Sequence, residues 1–277
     1  MGTLYLVATP IGNLEDLSAR ALRILGEVSL IAAEDTRVTR KLLTHFGLHT
    51  KLISYFEHNK LARLDVILSA LGADDVALVS DAGTPALNDP GYELVRAALG
   101  AGHRISPVPG PASPIAALIS SGLATDAFLF LGYLPRKSSE RKAELAKVAG
   151  LPYTLIFLET PHRLLDSLRD LKDALSDRNI ALARELTKVH EEIWRGTISG
   201  AIQHFSTPRG EFVLIIEGNK GISEGKWTEE QLLNAIREEL RNGETPTALA
   251  ARLAERSGWP RRAIYNLTLK HDEKRTQ

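Results

Sequence analysis

The first part of the chain alternates short apolar runs with stretches in which apolar residues recur at helical spacing. The apolar runs predict strands at residues 4–8, 30–33, 52–56, 76–80 and 105–108. The periodic stretches predict helices at residues 16–25, 37–46, 60–71 and 91–100. Strands that alternate with helices are typical of a parallel sheet covered on both faces. We therefore predict an N-terminal α/β domain over residues 1–114.

A second series of apolar runs begins near residue 127, with few helical patterns between its later members. Its predicted strands are residues 128–131, 154–158, 180–183, 192–197 and 212–216. This pattern indicates a mixed sheet in a second α/β domain, residues 115–220. We expect Thr160 to cap a long helix that begins at Pro161. The buried face of that helix is expected to contain Leu164, Leu165, Leu168, Leu171 and Leu175.

The last part of the chain has the composition of helices. Residues 219–226 predict a linker, and Thr228 to Gln231 form a capping-box pattern. Thr245 and Pro246 open a second helix, which Gly258 separates from a third. We predict a C-terminal helical domain, residues 226–277, that is either of helix-turn-helix type or a cap of small helices. Its basic residues are Arg261, Arg262, Lys270, Lys274 and Arg275.

Composition narrows the class of protein. The 277 residues include no Cys, which excludes disulfides, thiolate catalysis and Cys-based zinc sites and favours a cytosolic protein. No apolar stretch approaches the ~20 residues that span a bilayer, so we expect no membrane association. The formal net charge is +0, so any attraction to nucleic acid must be local. His45, His49 and His58 lack the spacing of a metal site, and we predict none.

Three loops rich in Gly and Pro follow predicted strands of the first domain, at residues 9–13, 80–91 and 109–114. Ligands of open parallel sheets lie at the carboxyl ends of the strands, where these loops would meet. The first loop lacks the glycines of a dinucleotide fingerprint and the Gly-Lys-Ser/Thr ending of a phosphate loop. We therefore expect a ligand without a pyrophosphate, with a ribose, a base and a carboxylate, held by backbone groups and Asp81.

Four charged stretches stand out, at residues 34–37, 134–142, 159–163 and 184–192. The first is either part of a site or an acidic helix start that complements the helix dipole. The second carries local positive charge suited to phosphates, or is a solvated helix face. The third is either a solvated helix start or part of a functional site. The fourth is either a solvated hairpin or part of a functional site.

Seven ordered blocks, over residues 3 to about 218, closely resemble the ribosomal RNA small subunit methyltransferase I family, a branch of the tetrapyrrole methylase superfamily. The blocks are TPIGNLEDLSARAL, AEDTRVTRKLL, SDAGTPALNDPGYELV, PVPGPASPIAAL, GYLPRKSSERK, ETPHRL and RELTKVHEE. The resemblance implies two αβα domains of tetrapyrrole-methylase type, a cofactor cleft between them, and a small C-terminal helical domain. It also implies a homodimer.

The resemblance further implies S-adenosylmethionine (SAM) as cofactor and 2'-O-methylation of a cytidine ribose in the decoding region of 16S rRNA. The partner would be 16S rRNA or the small ribosomal subunit. Matched residue by residue, the implied cofactor-binding positions are Pro10, Gly12, Asp81, Thr84, Ala112, Ser113, Leu158 and Glu211.

Methyl transfer to a ribose hydroxyl requires alignment of oxygen, carbon and sulfur and removal of a proton. Glu34, Asp35 and Asp81 are neighbours for the sulfonium cation or candidates for the base, and Lys188 and His190 are candidates to orient or deprotonate the hydroxyl. The sequence does not choose among them. The candidates for the rRNA backbone are Arg37, Arg40, Arg136, Lys137, Arg141, Lys142 and Arg163.

Two alternatives stay open. One is a small-molecule methyltransferase of the same superfamily, which would need neither the basic stretch nor the C-terminal helices. The other is a non-catalytic nucleic-acid-binding regulator that uses the helix-turn-helix, with the α/β domains as a ligand sensor.

Overall fold

The computed structural model describes residues 1–219, 227–241 and 245–273. The chain divides into two compact units, the first comprising Met1–Ala146 and Thr154–Glu217, and the second comprising Lys147–Tyr153 and Gly218–Gln277. Both sheets lie in the first unit, and the expected boundary between residues 114 and 115 stays a prediction. The predicted linker, apart from Asn219, lies outside the described residues.

The first sheet is fully parallel, as the alternating pattern predicts. Its strands are β1 Thr3–Val7, β2 Leu30–Ala33, β3 Leu52–Ser54, β4 Val76–Val79 and β5 Arg104–Val108, in the order β3-β2-β4-β1-β5. The helices that cover it are α1 Ala19–Glu27, α2 Thr36–His45, α3 Lys60–Ala73 and α4 Tyr92–Gly100. Separate apolar clusters fill its two faces, one against α1 and one against α3 and α4. The carboxyl ends of all five strands therefore lie at one edge.

The second sheet is mixed, which confirms the prediction. Its strands are β6 Phe128–Tyr133, β7 Thr154–Glu159, β8 Asn179–Arg184, β9 Glu192–Thr197 and β10 Phe212–Ile216, in the order β6-β7-β10-β8-β9. The β6 and β7 strands are parallel, whereas β10 runs antiparallel to both β7 and β8. The associated helices are α5 Ser113–Ser121, α6 Ser138–Val148, α7 Leu164–Leu175 and α8 Ile198–His204.

The helix after β7 begins later than predicted, at Leu164 rather than Pro161. Glu159 is fully buried, and its carboxylate accepts the Thr160 N–H (2.8 Å) and the Ser167 hydroxyl (2.5 Å). The Thr160 carbonyl accepts the Arg163 N–H at 3.1 Å, which closes a turn before the helix. The buried carboxylate thus engages the residue that was expected to cap, a contact that local sequence rules do not describe.

The C-terminal helices are α9 Glu229–Arg241, α10 Pro246–Ser257 and α11 Arg261–Glu273. The predicted capping box is present, because the Thr228 N–H donates to Gln231 Oε1 (2.9 Å) and the Gln231 N–H donates to Thr228 Oγ1 (3.2 Å). A small apolar core joins the three helices through residues including Leu249 and Ile264. Within the described ranges, no helix combines the length and apolar character that crossing a bilayer requires.

Candidate functional site

The three Gly- and Pro-rich loops are joined to one another at the carboxyl edge of the first sheet. Thr9 and Gly83 exchange two backbone hydrogen bonds, of 2.8 and 3.0 Å. The Thr9 hydroxyl donates to the Ser80 carbonyl (3.2 Å), and the Thr84 hydroxyl donates to the Pro111 carbonyl (3.0 Å). The loops after β1, β4 and β5 therefore form one connected wall, as the strand pattern predicts.

Two clefts open on this wall. The first cleft is lined from the first sheet by Ile11, the residues around Thr84 and the start of α5, and from the second sheet by β7, the end of β8 and the start of β10. The second cleft is lined by the loop after β1, by α2, and by Ser80 and Asp81. Ile11 lines both clefts, so the loop after β1 separates two adjoining spaces.

The eight predicted cofactor positions divide between these clefts. Those in the first cleft are Thr84, Ala112, Ser113, Leu158 and Glu211. Those in the second cleft are Pro10, Gly12 and Asp81. Glu211 directly precedes β10 instead of lying within it. The sequence placed all eight around one ligand, and the structure separates them because the loop after β1 stands between the two groups.

Two glycines let backbones approach closely here. Gly83 has φ +83°, a conformation that favours glycine, and a Cβ there would lie 3.3 Å from Ile11 Cγ2. A Cβ on Gly12 would lie 2.5 Å from Lys188 Cγ and 2.8 Å from the Leu186 carbonyl oxygen. The space over Gly12 is therefore filled by the loop after β8, so Gly12 serves close packing between the two halves of the first unit.

Hydrogen bonds to carboxylates join the ends of β2 and β4. The Asp35 N–H donates to Asp81 Oδ1 (2.9 Å), and the Asp81 N–H donates to Glu34 Oε2 (3.2 Å). Asp35 also caps α2 by accepting the Arg37 N–H (2.8 Å), and its hydrogen bonds with the Arg37 side chain lower its pKa to about 2. Burial, together with the Asp81 and Asp35 charges, raises the pKa of Glu34. Glu34 and Asp35 thus have opposite electrostatic environments.

Asp89 is a half-buried carboxyl in the lining of the first cleft that the sequence prediction did not select. Burial, together with the neighbouring charges of Glu34, Asp81 and Glu211, raises its pKa to about 6. A carboxyl of this kind favours a nearby cation, because a positive charge relieves the repulsion between Asp89 and the neighbouring carboxylates. Its position in the loop Asn88-Asp89-Pro90-Gly91 was visible in the sequence, but its burial was not.

The loop between β8 and β9 supplies the remaining charged residues of the first cleft. Lys188 Nζ lies 3.0 Å from Glu185 Oε1, and both residues line the cleft. Glu185 and Thr187 have φ of +49° and +65°, which is strained for residues other than glycine and is typical of functional loops. His190 is exposed and is not among the residues that line either cleft.

The basic residues predicted to contact RNA fall into two groups. Arg141 differs from the prediction, since it is 4% exposed, binds Asp170 at 2.5 Å and donates to the Pro135 carbonyl at 3.0 Å. Arg163 is half-buried, and it donates to the carbonyls of Leu134 and Pro135. Through these bonds the two arginines hold the loop before α6. Both are engaged, as is expected of charged groups that become buried.

The other group is exposed. Arg136 and Lys137 project from the loop that the two buried arginines hold, and Lys142 pairs with Asp170 and Asp173 on α7. Arg37 and Arg40 lie on the exposed face of α2 and line a shallow groove there. Arg37 also pairs with Asp35 and Lys137 with Glu140, so nearby acids offset part of the positive charge that this group offers to a phosphate backbone.

Comparison with known proteins places the chain in a family. The model of the Tetrapyrrole (Corrin/Porphyrin) Methylases matches residues 3–202. A protein of Synechocystis sp. named Ribosomal RNA small subunit methyltransferase I is 49% identical over 97% of this chain and 98% of its own length. Its namesake in Escherichia coli O157:H7 is 44% identical over 97% of this chain and 95% of its own length.

Solved structures show the same fold. The native form of uroporphyrin III C-methyl transferase from Thermus thermophilus matches with a TM-score of 0.57 at 20% identity, covering 78% of this chain and 97% of that one. The complex of that enzyme with S-adenyl homocysteine matches with a TM-score of 0.56 at 21% identity, over 78% and 97% of the two chains. With the family model and the near-full-length relatives, this fold shows that the chain belongs to the tetrapyrrole methylases, in the ribosomal RNA small subunit methyltransferase I family.

Proposed function

We propose that the protein is a SAM-dependent methyltransferase that acts on the 2'-hydroxyl of a cytidine ribose in the decoding region of 16S rRNA. The observation that carries the proposal is the near-full-length similarity to relatives named for small-subunit rRNA methylation. The adjoining clefts support it, because a transfer reaction needs two ligands whose reacting atoms meet.

The first cleft suits SAM. Its apolar wall, which includes Leu158 and Val213, can accept the adenine ring, and α5 begins at Ser113 without a side-chain cap, so its first backbone N–H can bind a carboxylate. Asp89 and Glu211 supply negative charge for a sulfonium. Gly83 passes the cleft with a left-handed backbone and no Cβ, a form of close approach typical of ligand loops. When bound, SAM supplies an electrophilic methyl group.

The second cleft suits the target nucleotide. Its lining is mostly apolar, with Leu14, Val38 and Leu42 in its walls and Asp81 among its polar residues. Enzymes that modify a nucleotide commonly draw it out of its stack into such a pocket. Arg37 and Arg40 lie on the same helix as Val38, where they can bind the flanking phosphates.

For the proton transfer we propose a carboxylate of raised pKa. General bases act best when their pKa lies near the operating pH. Asp89, whose pKa is raised, lines the first cleft, and Glu34, whose pKa is also raised, accepts the N–H of Asp81, which lines the second cleft. Asp35 is engaged as the cap of α2, so its part is to hold the loops after β2 and β4 in place. Lys188 lines the first cleft and is proposed to orient the hydroxyl.

The test is methyl transfer from labelled SAM to unmodified small ribosomal subunits, with the modified nucleotide identified by mass spectrometry. The expected product is 2'-O-methylcytidine. Label on a small molecule instead of RNA indicates the small-molecule alternative, and RNA binding without transfer indicates a regulator. Comparison of Glu34→Gln with Asp89→Asn identifies the base, since only its loss removes the acid limb of the pH–rate profile.

With this activity we propose a cytoplasmic location, where ribosomal subunits are made, and the homodimer that the family resemblance implies. Light scattering on the purified full chain measures its mass directly. A mass near twice 30.3 kDa is expected, and the mass of a single chain contradicts the dimer.

A further inference from the structure

The second and third helices of the C-terminal unit form a compact helix-turn-helix. Only Gly258, Trp259 and Pro260 separate α10 from α11, and Gly258 has φ +67°, which ends α10 in a left-handed cap. The Trp259 indole N–H donates to the Trp227 carbonyl at 2.6 Å, so the turn is joined to the segment that leads into α9. Ile264 of α11 is fully buried. The start of α11 is thereby fixed on a rigid frame.

One face of α11 is left uncovered by this packing. Arg261, Arg262 and Asn266 are exposed, and Tyr265 between them is half-buried. Arg262 and Asn266 lie four residues apart on the side away from the buried Ile264 and Thr268, whereas Arg261 is exposed at the very start of the helix. From Gly258 to Leu269 the sequence contains no acidic residue, so nothing on this stretch offsets the two arginines.

Charge is unevenly distributed over the three helices. Helix α9 exposes Glu229, Glu230 and Glu238, and Arg252 of α10 is paired with Glu239 at 2.7 Å. Among the described residues, neither Arg261 nor Arg262 has an ion-pair partner. The side chain of Lys270 and all of Lys274 and Arg275 lie outside what the structure describes. Arg261 and Arg262 therefore place two adjacent positive charges at the first turn of α11, whereas the exposed Arg237 stands beside glutamates on α9.

The chemistry of this face fits a phosphate backbone. Arginine forks bind phosphates in bidentate geometry, and the backbone N–H groups of the first helical turn also favour anions. Asn and Tyr side chains add hydrogen-bond donors that commonly contact phosphate and sugar.

We propose that Arg261, Arg262 and Asn266 of α11 bind the phosphate backbone of RNA, outside the catalytic clefts of the first unit. This inference rests on the proposed function, which makes the RNA a small-subunit rRNA. Because phosphate contacts carry no base information, the contact strengthens binding without selecting the nucleotide that is modified. The face thus sets the affinity for the substrate, whereas the clefts set the chemistry.

The experiment uses the full chain and four variants: Arg261→Gln, Arg262→Gln, the double variant, and Arg237→Gln as the matched control. Arg237 is an exposed arginine of the same unit, on α9. Affinity for a 16S rRNA transcript is measured across a salt series, and KM and kcat for methyl transfer are measured on small ribosomal subunits. Circular dichroism verifies that each variant is folded, as expected for exposed positions.

For the double variant, the slope of log affinity against log salt is expected to fall by roughly two, about one for each lost phosphate contact. KM is expected to rise while kcat stays unchanged, and Arg237→Gln is expected to match the wild type. An unchanged slope in the double variant overturns the inference, as does an equal loss in Arg237→Gln.

Two further outcomes distinguish this inference from a protein partner and from the proposed function. A loss on assembled subunits with none on the naked transcript identifies a ribosomal protein as the partner and overturns the RNA contact. If the wild type transfers no methyl group, the proposed function fails, and the transcript's salt slope still decides whether α11 binds RNA.

Discussion

Under the proposed function, Asp89 is expected to make SAM binding depend on pH. Its pKa is raised to about 6 by burial and by neighbouring carboxylates, and a bound cation favours its charged form. Cation binding must therefore expel a proton below that pKa, so the affinity for SAM is expected to increase as pH rises from roughly 5 to 7. Calorimetric titration at several pH values measures this dependence.

S-adenosylhomocysteine provides the matched ligand, because it lacks the sulfonium charge. Its affinity is expected to vary much less over the same pH range, and Asp89→Asn is expected to flatten the dependence for SAM. Equal pH dependence for both ligands would show that Asp89 does not sense the sulfonium.

Gly12 is expected to tolerate no side chain. A Cβ would meet Lys188 and the Leu186 backbone, so Gly12→Ala is expected to cost about 1–3 kcal/mol of unfolding free energy. Gly72 in α3 is the control, since a Cβ there meets nothing within 4 Å and alanine is expected to stabilise by roughly 0.5–1 kcal/mol. Urea unfolding measures both. Equal effects at the two positions would contradict the close approach.

How well the sequence predicted the place of a single residue depended on whether a local pattern marks that residue. The loops that carry Thr84, Ala112 and Ser113 were predicted to meet at one edge because glycine and proline mark them and the strand pattern orders them; the three residues themselves came from the family resemblance, and their cofactor role stays a prediction. Asp89 and Arg141 were not recognised, because one is an ordinary loop acid and the other stands in a charge run typical of solvent. Their burial is set by contacts with distant parts of the chain, which no local pattern records.

Among the structural elements, the loop before α6 depends on a buried ion pair. Arg141 and Asp170 have side chains 5% and 9% exposed, so Arg141→Met leaves a buried charge without its main partner. The expected cost is about 3–5 kcal/mol of unfolding free energy. The exposed pair Arg169 and Asp166 is the control, and Arg169→Met is expected to change stability by less than about 1 kcal/mol. Similar losses in both variants would contradict the structural role of Arg141.

The same loop presents Arg136 and Lys137 to solvent, and the double charge reversal Arg136→Glu and Lys137→Glu is expected to weaken RNA binding in a salt-dependent way. The affinity for SAM should stay unchanged, because neither residue lines the first cleft. Arg104→Glu is the control, since that exposed arginine begins β5, at the opposite end of the strand from the clefts. Filter binding over a salt series measures the effect, and unchanged RNA affinity removes this loop from the proposed interface.

The predicted strands lie within two residues of the observed ones, since each is a short apolar run bounded by polar or Gly and Pro positions. Helices α5, α6 and α8 were not predicted, although a solvated helix face was one of the two interpretations of residues 134–142. Helix α5 carries almost no polar face, which removes the periodic signal, and α8 has only seven residues. The start of α7 was predicted too early, because the buried Glu159 engages Thr160.

For the molecule as a whole, the net charge is a sum over separate positive and negative surfaces. The formal net charge is +0, yet α2, the loop before α6 and the start of α11 expose arginines. The sequence predicted that any nucleic-acid contact must be local, but it did not show which arginines are exposed. It also did not provide the strand order, because the insertion of β10 between β7 and β8 depends on pairing between distant segments.

Ile11 borders both clefts, so one side chain is a shared boundary for two ligands. Under the proposed function, both ligands contact Ile11, so a ligand that shifts this side chain changes the wall that the other one meets. The two binding events are then thermodynamically linked, and each changes the affinity for the other by the same factor. An enzyme with this property distinguishes between nucleotides before methyl transfer, because a nucleotide that fits increases the affinity for SAM, whereas one that fits poorly leaves that affinity unchanged.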